Sequence, residues 1–448
     1  METLKKVYHP FLYLPEALQK HLNLSVHKSL TLTNRARFRY TDALDSRNIR
    51  LLNIKPGQGE DIIHLSLCSY PLHSAPKYIA LSYTWGDPKQ VSTILCQGKA
   101  LSVTRNLEDA LWQLRESQES QDIFAGRAFA REGNNKTPYF WIDAVCINQS
   151  DHDEKNHQVR LMWEIYSYAD VVVAWLGKQD ETIKRGLNLI KQITAIVEKR
   201  SSGSEVRPGE KRNHRNFRIT ELNNLDLPAP TSPEWDYLFS VLTLPWFSRA
   251  WVIQELVAAK TCHFLCGDDI IDSSMLLWLG EIIEKDKLLS SMRNFKRNQI
   301  LGVNVTSLAT LKREGKQHDL TELLWSTHLF QASDPRDRVF ALLNMAHKVT
   351  LRTFSNLIDY RLNTYEVLIK TADIILRQGS LNLLSFAQAF GDHYSLPSWV
   401  PYWTASDYSY TPLIKSWDVS VPHQHTVPIE PYWEMEENHV SGANPVAK

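Results

Sequence analysis

Short apolar runs alternate with amphipathic stretches between residues 50 and 260. Apolar runs of strand length lie at 50–54, 78–83, 139–143 and 170–177, each followed by turn-forming or polar residues. The run at 170–177, DVVVAWLG, is rich in β-branched residues and shows little alternation. That pattern predicts a strand buried on both faces of a sheet.

Helical periodicity separates these strand-like runs. Apolar residues recur every three or four positions within 104–115, which predicts an amphipathic helix. A second helix is predicted through Val159 and Ala169, and Asp151 with Glu154 three residues later has the spacing of a capping box. Strands that alternate with helices are typical of a parallel sheet covered by helices, so the sequence predicts an α/β fold.

The pattern changes after residue 261 and becomes mainly helical. Helices are predicted there at 274–286, 318–326, 337–346 and 364–378. The chain therefore divides into three predicted parts. They are an N-terminal leader (1–48), an α/β domain (49–270) with exposed insertions near 116–137 and 199–232, and a mainly helical C-terminal region (271–448).

Composition excludes several classes of protein. The 448 residues are 43% hydrophobic, which is far too apolar for a disordered chain. Fifty basic and 50 acidic residues give zero net charge, so a dedicated nucleic-acid binder is not expected. Segment 199–218 holds seven basic and two acidic residues. A nucleic-acid contact is one interpretation of it, but a solvated loop is favoured because aromatic residues are almost absent there.

Neither a targeting signal nor a membrane span is predicted. The N-terminus, METLKKVYHP, lacks the apolar core of a signal peptide. The longest clean apolar stretch, 171–176, is far shorter than the roughly 20 residues that cross a bilayer. We therefore expect a cytoplasmic protein.

No metal site or bound cofactor is predicted. The five cysteines are irregularly spaced, and the CHFLC sequence at 262–266 has no second ligand pair elsewhere. A buried strand is the favoured interpretation of CHFLC. Motifs for dinucleotide-binding, P-loop, zinc-protease and serine-hydrolase sites are also missing.

Three polar segments follow predicted elements at one edge of the sheet, where ligands of parallel sheets bind. They are Ser82 to Asp87, Asp143 to Gln149, and the helix start after Ser248. Trp251 and Glu255 are four residues apart and share a helix face. Burial beside an indole would raise the pKa of Glu255. In the alternative interpretation, Trp251 fills the core and Glu255 forms a surface pair with Arg249 or Lys260.

Three blocks closely resemble the fungal heterokaryon incompatibility (HET) domain: YIALSYTWGD (78–87), WIDAVCINQSDHDEKNHQVRLMWEIYSYADVVVAWLG (141–177) and WFSRAWVIQELVAAK (246–260). The flanking sequences RLLNIKPG (50–57) and TRNLEDALWQLR (104–115) resemble it too. DPRDRVFALLNMA (334–346) resembles a block that often follows this domain. The resemblance implies a filamentous fungus and a role in non-self recognition that ends in cell death.

HET domains are in turn similar to TIR (Toll-receptor-like) domains, as remote relatives. Ser82-Tyr83 matches the end of the first TIR strand, Asp143 matches the aspartate after the second, and 251–256 matches the W-C-x-x-E-L helix, with Val252 in place of cysteine. The similarity implies a TIR-like (flavodoxin-like) parallel sheet. The insertion at 178–245 departs from the TIR pattern.

Catalytic TIR domains hydrolyse NAD, so the resemblance implies that NAD is a substrate rather than a bound cofactor, with Glu255 as the catalytic residue. The residues that it implies for substrate binding are Tyr83, Trp85, Asp87, Asp143, Arg249 and Trp251. The alternative hypothesis is a non-catalytic interaction module. Such a module would self-associate, bind other incompatibility proteins or recruit a separate cell-death effector.

Overall fold

The computed structural model describes residues 35–45, 47–58, 61–119, 138–201, 227–229, 232–285, 295–315, 318–346, 357–384 and 396–403. Most of the predicted leader, most of the two predicted insertions and nearly all of the basic segment at 199–218 lie outside these residues.

Nine strands of the described residues form one sheet. They are β1 (Asn48–Ile54), β2 (His64–Pro71), β3 (Tyr78–Tyr83), β4 (Val91–Cys96), β5 (Lys99–Thr104), β6 (Tyr139–Trp141), β7 (Val171–Gly177), β8 (Cys262–Cys266) and β9 (Asp269–Asp272). Their order across the sheet is β5-β4-β2-β1-β6-β3-β7-β8-β9.

The α/β class is confirmed, but the prediction of a parallel sheet is wrong because the sheet is mixed. Strands β6, β3, β7 and β8 are parallel neighbours, whereas β1 pairs antiparallel with both β2 and β6, β4 with β5, and β8 with β9. The four parallel strands lie in the order second, first, third, fourth along the chain, which is also how a flavodoxin-like sheet begins. The TIR-like assignment stays a prediction.

The antiparallel strands explain the difference, since local geometry sets their pairing. Gln97 and Gly98 both have positive φ, 50° and 77°, and form the two-residue turn between β4 and β5. Such a turn matches the twist of paired strands and makes a tight hairpin. By contrast β7 is buried from Val171 to Leu176, as predicted for a strand covered on both faces.

The described helices are α1 (Arg105–Glu119), α2 (Asp143–Cys146), α3 (His152–Tyr168), α4 (Glu181–Ser201), α5 (Glu234–Leu242), α6 (Val252–Ala258), α7 (Ser273–Lys285), α8 (Phe295–Glu314), α9 (Leu320–Ser326), α10 (Asp337–Leu343) and α11 (Thr364–Arg377). Helix α8 is absent from the prediction, since its apolar positions lack a clear period. Packing brings α3 against α6, α4 against α5 and α7 against α8. None of the helices within the described ranges is both long and apolar enough to cross a membrane.

Helix α6 begins later than the sequence predicts. Residues Pro245–Ser248 form a 3-10 turn, and Arg249 is extended with φ −76° and ψ 137°. Ala250 then donates its N–H to the carbonyl of Gln331 at 2.8 Å, so the chain pairs with the C-terminal region before the helix starts. Buried residues on both sides of the predicted boundary at 270 join one hydrophobic core. The boundary itself stays a prediction.

Candidate functional site

The three predicted segments meet beside the carboxyl end of β3. Connections from β3 lead to β6 on one side, and α3 then crosses to β7 on the other. Ligands of α/β sheets bind where connections diverge in this way. Ser82 and Tyr83 end β3, and Asp143 is the second residue after β6. The third segment, 248–255, places Glu255 against the end of β3.

Glu255 lies in the interior and is 2% exposed. The hydroxyl of Ser82 donates a hydrogen bond to Glu255 Oε2, and the Trp246 indole donates to Ser82 Oγ at 2.7 Å. Arg249 Nη1 lies 3.9 Å from the same carboxylate oxygen. Glu255 therefore does pair with Arg249, as one interpretation expected, but the pair is not at the surface and does not involve Lys260.

Burial governs the protonation of this carboxyl. It raises the pKa of Glu255 from 4.5 to about 7, while the charge of Arg249 and the hydrogen bond from Ser82 act in the opposite direction. Burial also raises the pKa of Asp143, against the charge of Arg249. Two carboxyls with raised pKa values beside one guanidinium are typical of functional sites, although structural networks produce them too.

Arg249 connects the carboxyl to the main chain of β3. Its Nη1 donates to the carbonyl oxygen of Tyr83, so the same guanidinium nitrogen faces both the strand end and Glu255. The side chain of Arg249 is 19% exposed, whereas that of Glu255 is 2% exposed. A ligand that approaches from solvent would therefore meet Arg249 before Glu255.

Asp143 and Trp85 form the outer part of the site. The Trp85 indole donates to Asp143 Oδ2 at 2.8 Å, and the backbone N–H of Ala144 donates to Asp143 Oδ1 at 2.7 Å. The Tyr83 hydroxyl adds a further hydrogen bond that lowers the pKa of Asp143. Trp85 remains 42% exposed, which is unusual for so large a side chain unless it lies at a site or an interface.

Two predicted site residues have other partners. Asp87 is exposed and accepts the backbone N–H of Lys89 at 2.9 Å, a local turn contact. Trp251 is half-buried, and its indole contributes a hydrogen bond to Asp337 in the C-terminal region. Their roles in substrate binding stay predictions.

The structure adds contacts that sequence reasoning missed. Trp246 belongs to the site through Ser82, although the sequence predicts only Arg249, Trp251 and Glu255 from the same block as site residues. Asn106 donates to the Thr84 carbonyl at 2.6 Å and accepts from the Trp175 indole at 3.0 Å. Asn106 thus ties the residue after β3 to the end of β7.

A buried ion pair supports the short helix α2, which carries Asp143, and the residues after it. Arg50 Nη1 and Nη2 lie 2.5 and 3.0 Å from the two carboxylate oxygens of Glu154. Arg50 also donates to the carbonyl of Cys146 at 3.1 Å, and Glu154 Oε1 accepts the N–H of Asn148 at 2.7 Å. The predicted N-cap of α3 is confirmed at Asp151, but Glu154 bonds to Arg50 instead of completing a capping box.

CHFLC forms strand β8, which confirms the strand interpretation. In the ranges that the structure covers, no three His, Cys, Asp or Glu side chains are grouped so as to hold a metal ion.

Protonation of Glu255 should couple to the stability of the fold. Its folded-state pKa of about 7 lies above the ordinary value of 4.5, so the protonated form stabilises the folded state. This contribution is complete below pH 4.5 and is lost as pH rises through about 7, a change of about 3 kcal/mol in the free energy of unfolding. We expect urea denaturation to show that the free energy of unfolding of Glu255→Gln rises relative to that of wild type by this amount between pH 4.5 and 8. A difference that is independent of pH would contradict the buried, protonated carboxyl.

Comparison with known proteins identifies the segment that contains this site. Residues 78–255 match the family model described as "Heterokaryon incompatibility protein (HET)". This segment is a HET domain. The match starts at the first residue of β3 and ends at Glu255, so the HET domain contains Ser82, Asp143 and Glu255.

A wider similarity extends beyond the HET domain. The chain is 26% identical over 405 residues to "Heterokaryon incompatibility protein 6, OR allele" of Neurospora crassa. That alignment covers 80% of this chain and 58% of the Neurospora protein, so the chain spans little more than half the length of this relative. No solved structure matches the chain.

Proposed function

We propose that this chain acts in fungal heterokaryon incompatibility and that its HET domain cleaves the bond between nicotinamide and ribose in NAD. The incompatibility role is supported by the HET match and by the printed name of the Neurospora relative. One observation carries the chemical part of the proposal. A buried carboxyl, Glu255, lies at the edge of the sheet where the connections from β3 diverge, beside the cation of Arg249.

The proposed reaction needs little from the protein besides a placed negative charge. When the C–N bond to nicotinamide breaks, its electron pair leaves with the ring and neutralises the ring's positive charge. The ribose becomes an oxocarbenium ion, water adds to it, and ADP-ribose, nicotinamide and a proton result. A carboxylate near the ribose lowers the barrier because it stabilises the positive charge that develops there.

Glu255 meets two requirements of this role. With a pKa of about 7 it is partly ionised near neutral pH, and Arg249 favours the ionised form. The surrounding side chains exclude water, which strengthens the interaction of the carboxylate with a developing cation. Substrate must still reach it. We propose that the ligand displaces the Trp85 indole from Asp143 and passes the partly exposed Arg249.

The alternative function, a non-catalytic interaction module, also has an observation in its favour. Glu255 is 2% exposed and joined to Ser82, as a structural carboxyl would be. Trp85 is 42% exposed, as an interface residue would be before its partner binds. If the chain acts only by binding, Glu255→Gln keeps cell killing in a fungal host while Trp85→Ala abolishes it. Catalysis predicts that Glu255→Gln abolishes killing.

The direct test of the proposed chemistry is an assay of NAD breakdown. Purified protein at several concentrations is incubated with NAD, and nicotinamide and ADP-ribose are separated by chromatography. We expect equimolar release of the two products. Protein that binds NAD and leaves it intact at every concentration would count against catalysis.

A further inference from the structure

The helix that carries Glu255 is too short to hold its own position. Helix α6 has seven residues, Val252–Ala258, whereas isolated helices below about 12 residues are marginal in water. All seven residues are buried. The position of Glu255 therefore depends on what packs against and bonds to α6.

A lysine from the C-terminal region caps the end of this helix. Lys312, on α8, donates from Nζ to the carbonyl oxygens of Leu256 at 3.0 Å and Val257 at 3.3 Å, and also to that of Ala259. The last carbonyls of a helix have no partner within the helix, and a cation there also interacts favourably with the helix dipole. An ammonium group has three donors, and the three carbonyls satisfy them.

Lys312 is half-buried, so its contact with the end of α6 lies partly inside the protein. Burial lowers the pKa of its ammonium group because the charged form loses hydration. The three carbonyl oxygens take the place of the lost water. Removing the ammonium would leave three carbonyl oxygens at the end of α6 without this donor.

A second contact from the same region fixes the middle of α6. The side chain of Gln254, next to Glu255, is fully buried and donates to the carbonyl of Ala341 at 2.7 Å. Ala341 belongs to the last turn of α10, so Gln254 caps that helix as Lys312 caps α6. Asn344 completes the contact by donating to Gln254 Oε1 at 3.3 Å.

Backbone pairing holds the residues before the helix. Ala250 donates to the Gln331 carbonyl at 2.8 Å, and Gln331 donates to the Ser248 carbonyl at 2.5 Å. The start, middle and end of the Glu255 segment are thus each bonded to residues beyond 300, outside the segment 78–255 that matches the HET family.

We infer that Lys312 is a positioning residue for Glu255, which it holds against Ser82 by capping α6 from the C-terminal region. Lys312 forms no hydrogen bond or ion pair with Ser82 or Glu255, so we assign its effect to the placement of the helix. The consequence for NAD cleavage rests on the proposed function, whereas the placement of α6 does not.

The test is Lys312→Met, which keeps most of the length of the side chain and removes its donors. The matched control is Lys191→Met, which removes a half-exposed lysine that pairs with Asp269 at the surface. Hydrogen–deuterium exchange followed by mass spectrometry reports the protection of residues 252–258. We expect exchange there to rise about tenfold or more in Lys312→Met, and protection of β3 and β7 to remain within twofold of wild type.

Catalytic readouts separate positioning from general stability. In Lys312→Met we expect kcat for NAD cleavage to fall about tenfold with KM within twofold, because the carboxylate is displaced while the rest of the site remains. Lys312→Gln retains neutral donors and should give an intermediate kcat. It also serves in place of Lys312→Met should that variant not fold.

Three outcomes would overturn the inference. Exchange at 252–258 equal to that of Lys191→Met would show that Lys312 does not hold α6. A uniform rise across the HET domain would assign it a general structural role. An unchanged kcat with locally raised exchange would show that placement of α6 does not matter for the reaction. If wild type itself leaves NAD intact, a local rise in exchange still supports the placement of α6, and only the proposed function fails.

Discussion

Glu255→Gln should lower the rate of NAD cleavage on the order of 10²–10³-fold, the effect expected when one charge-stabilising group is removed from an active site. Glutamine has nearly the same shape as glutamate and still offers an oxygen to the Ser82 hydroxyl, so the hydrogen bond between the two positions can persist. The loss should therefore fall on kcat, because the charge that opposes the oxocarbenium ion is gone while the fold is kept.

A matched pair of variants makes this result specific. Glu181→Gln changes a glutamate that forms a surface pair with Arg185, and it should leave the rate within twofold of wild type. Initial rates of nicotinamide release at saturating NAD provide the measurement, and circular dichroism checks the fold of each variant. Full turnover in Glu255→Gln would remove Glu255 from the chemistry and would favour the interaction module.

Arg50→Met should destabilise the protein by about 3–5 kcal/mol, the cost of leaving one partner of a buried ion pair without its counter-charge. Arg50 is 4% exposed and Glu154 3% exposed, so solvent cannot replace the lost guanidinium. Arg50 also bonds to the carbonyls of Asp42, at 2.5 Å, and Cys146, at 3.1 Å. Helix α2, which carries Asp143, should therefore loosen when the ion pair is lost.

Urea denaturation of wild type, Arg50→Met and Arg185→Met measures this effect. Arg185 forms an exposed pair with Glu181, so its replacement should cost less than about 1 kcal/mol. In the double variant Arg50→Met/Glu154→Met, part of the stability should return because no buried charge remains. An Arg50→Met protein as stable as the Arg185→Met control would show that the ion pair contributes little.

The central strands could be predicted from sequence because a strand buried on both faces consists almost entirely of apolar residues. The β-branched run of β7 is one such case, and the apolar β3 is another. The outer strands are harder to predict from sequence. In β4 the first residues are exposed or half-buried and the last three are buried, so neither alternation nor a continuous apolar run marks the strand. Its pairing is instead set by the turn at Gln97 and Gly98.

The candidate site could be predicted only as far as local sequence carries it. Ser82, Asp143 and Glu255 each lie in a short motif that local sequence reveals. Parallel strands bring the segments that carry such motifs to one edge of the sheet. The Trp246 indole and the Lys312 ammonium are different. Trp246 reaches a residue 164 positions away, and Lys312 reaches Leu256 across 56 positions. Contacts of this kind depend on tertiary packing, which no local pattern encodes.

The reciprocal caps between α6 and the C-terminal region affect how freely this HET domain can be exchanged between proteins. A chimera that joined residues 78–255 to the C-terminal region of another protein would inherit Glu255 but not Lys312 or the carbonyl of Ala341. Sequence drift at position 312 would likewise leave every residue of the family-matched segment unchanged while it alters the environment of Glu255. For this chain the segment that must be transferred as a whole is therefore longer than the segment that matches the family.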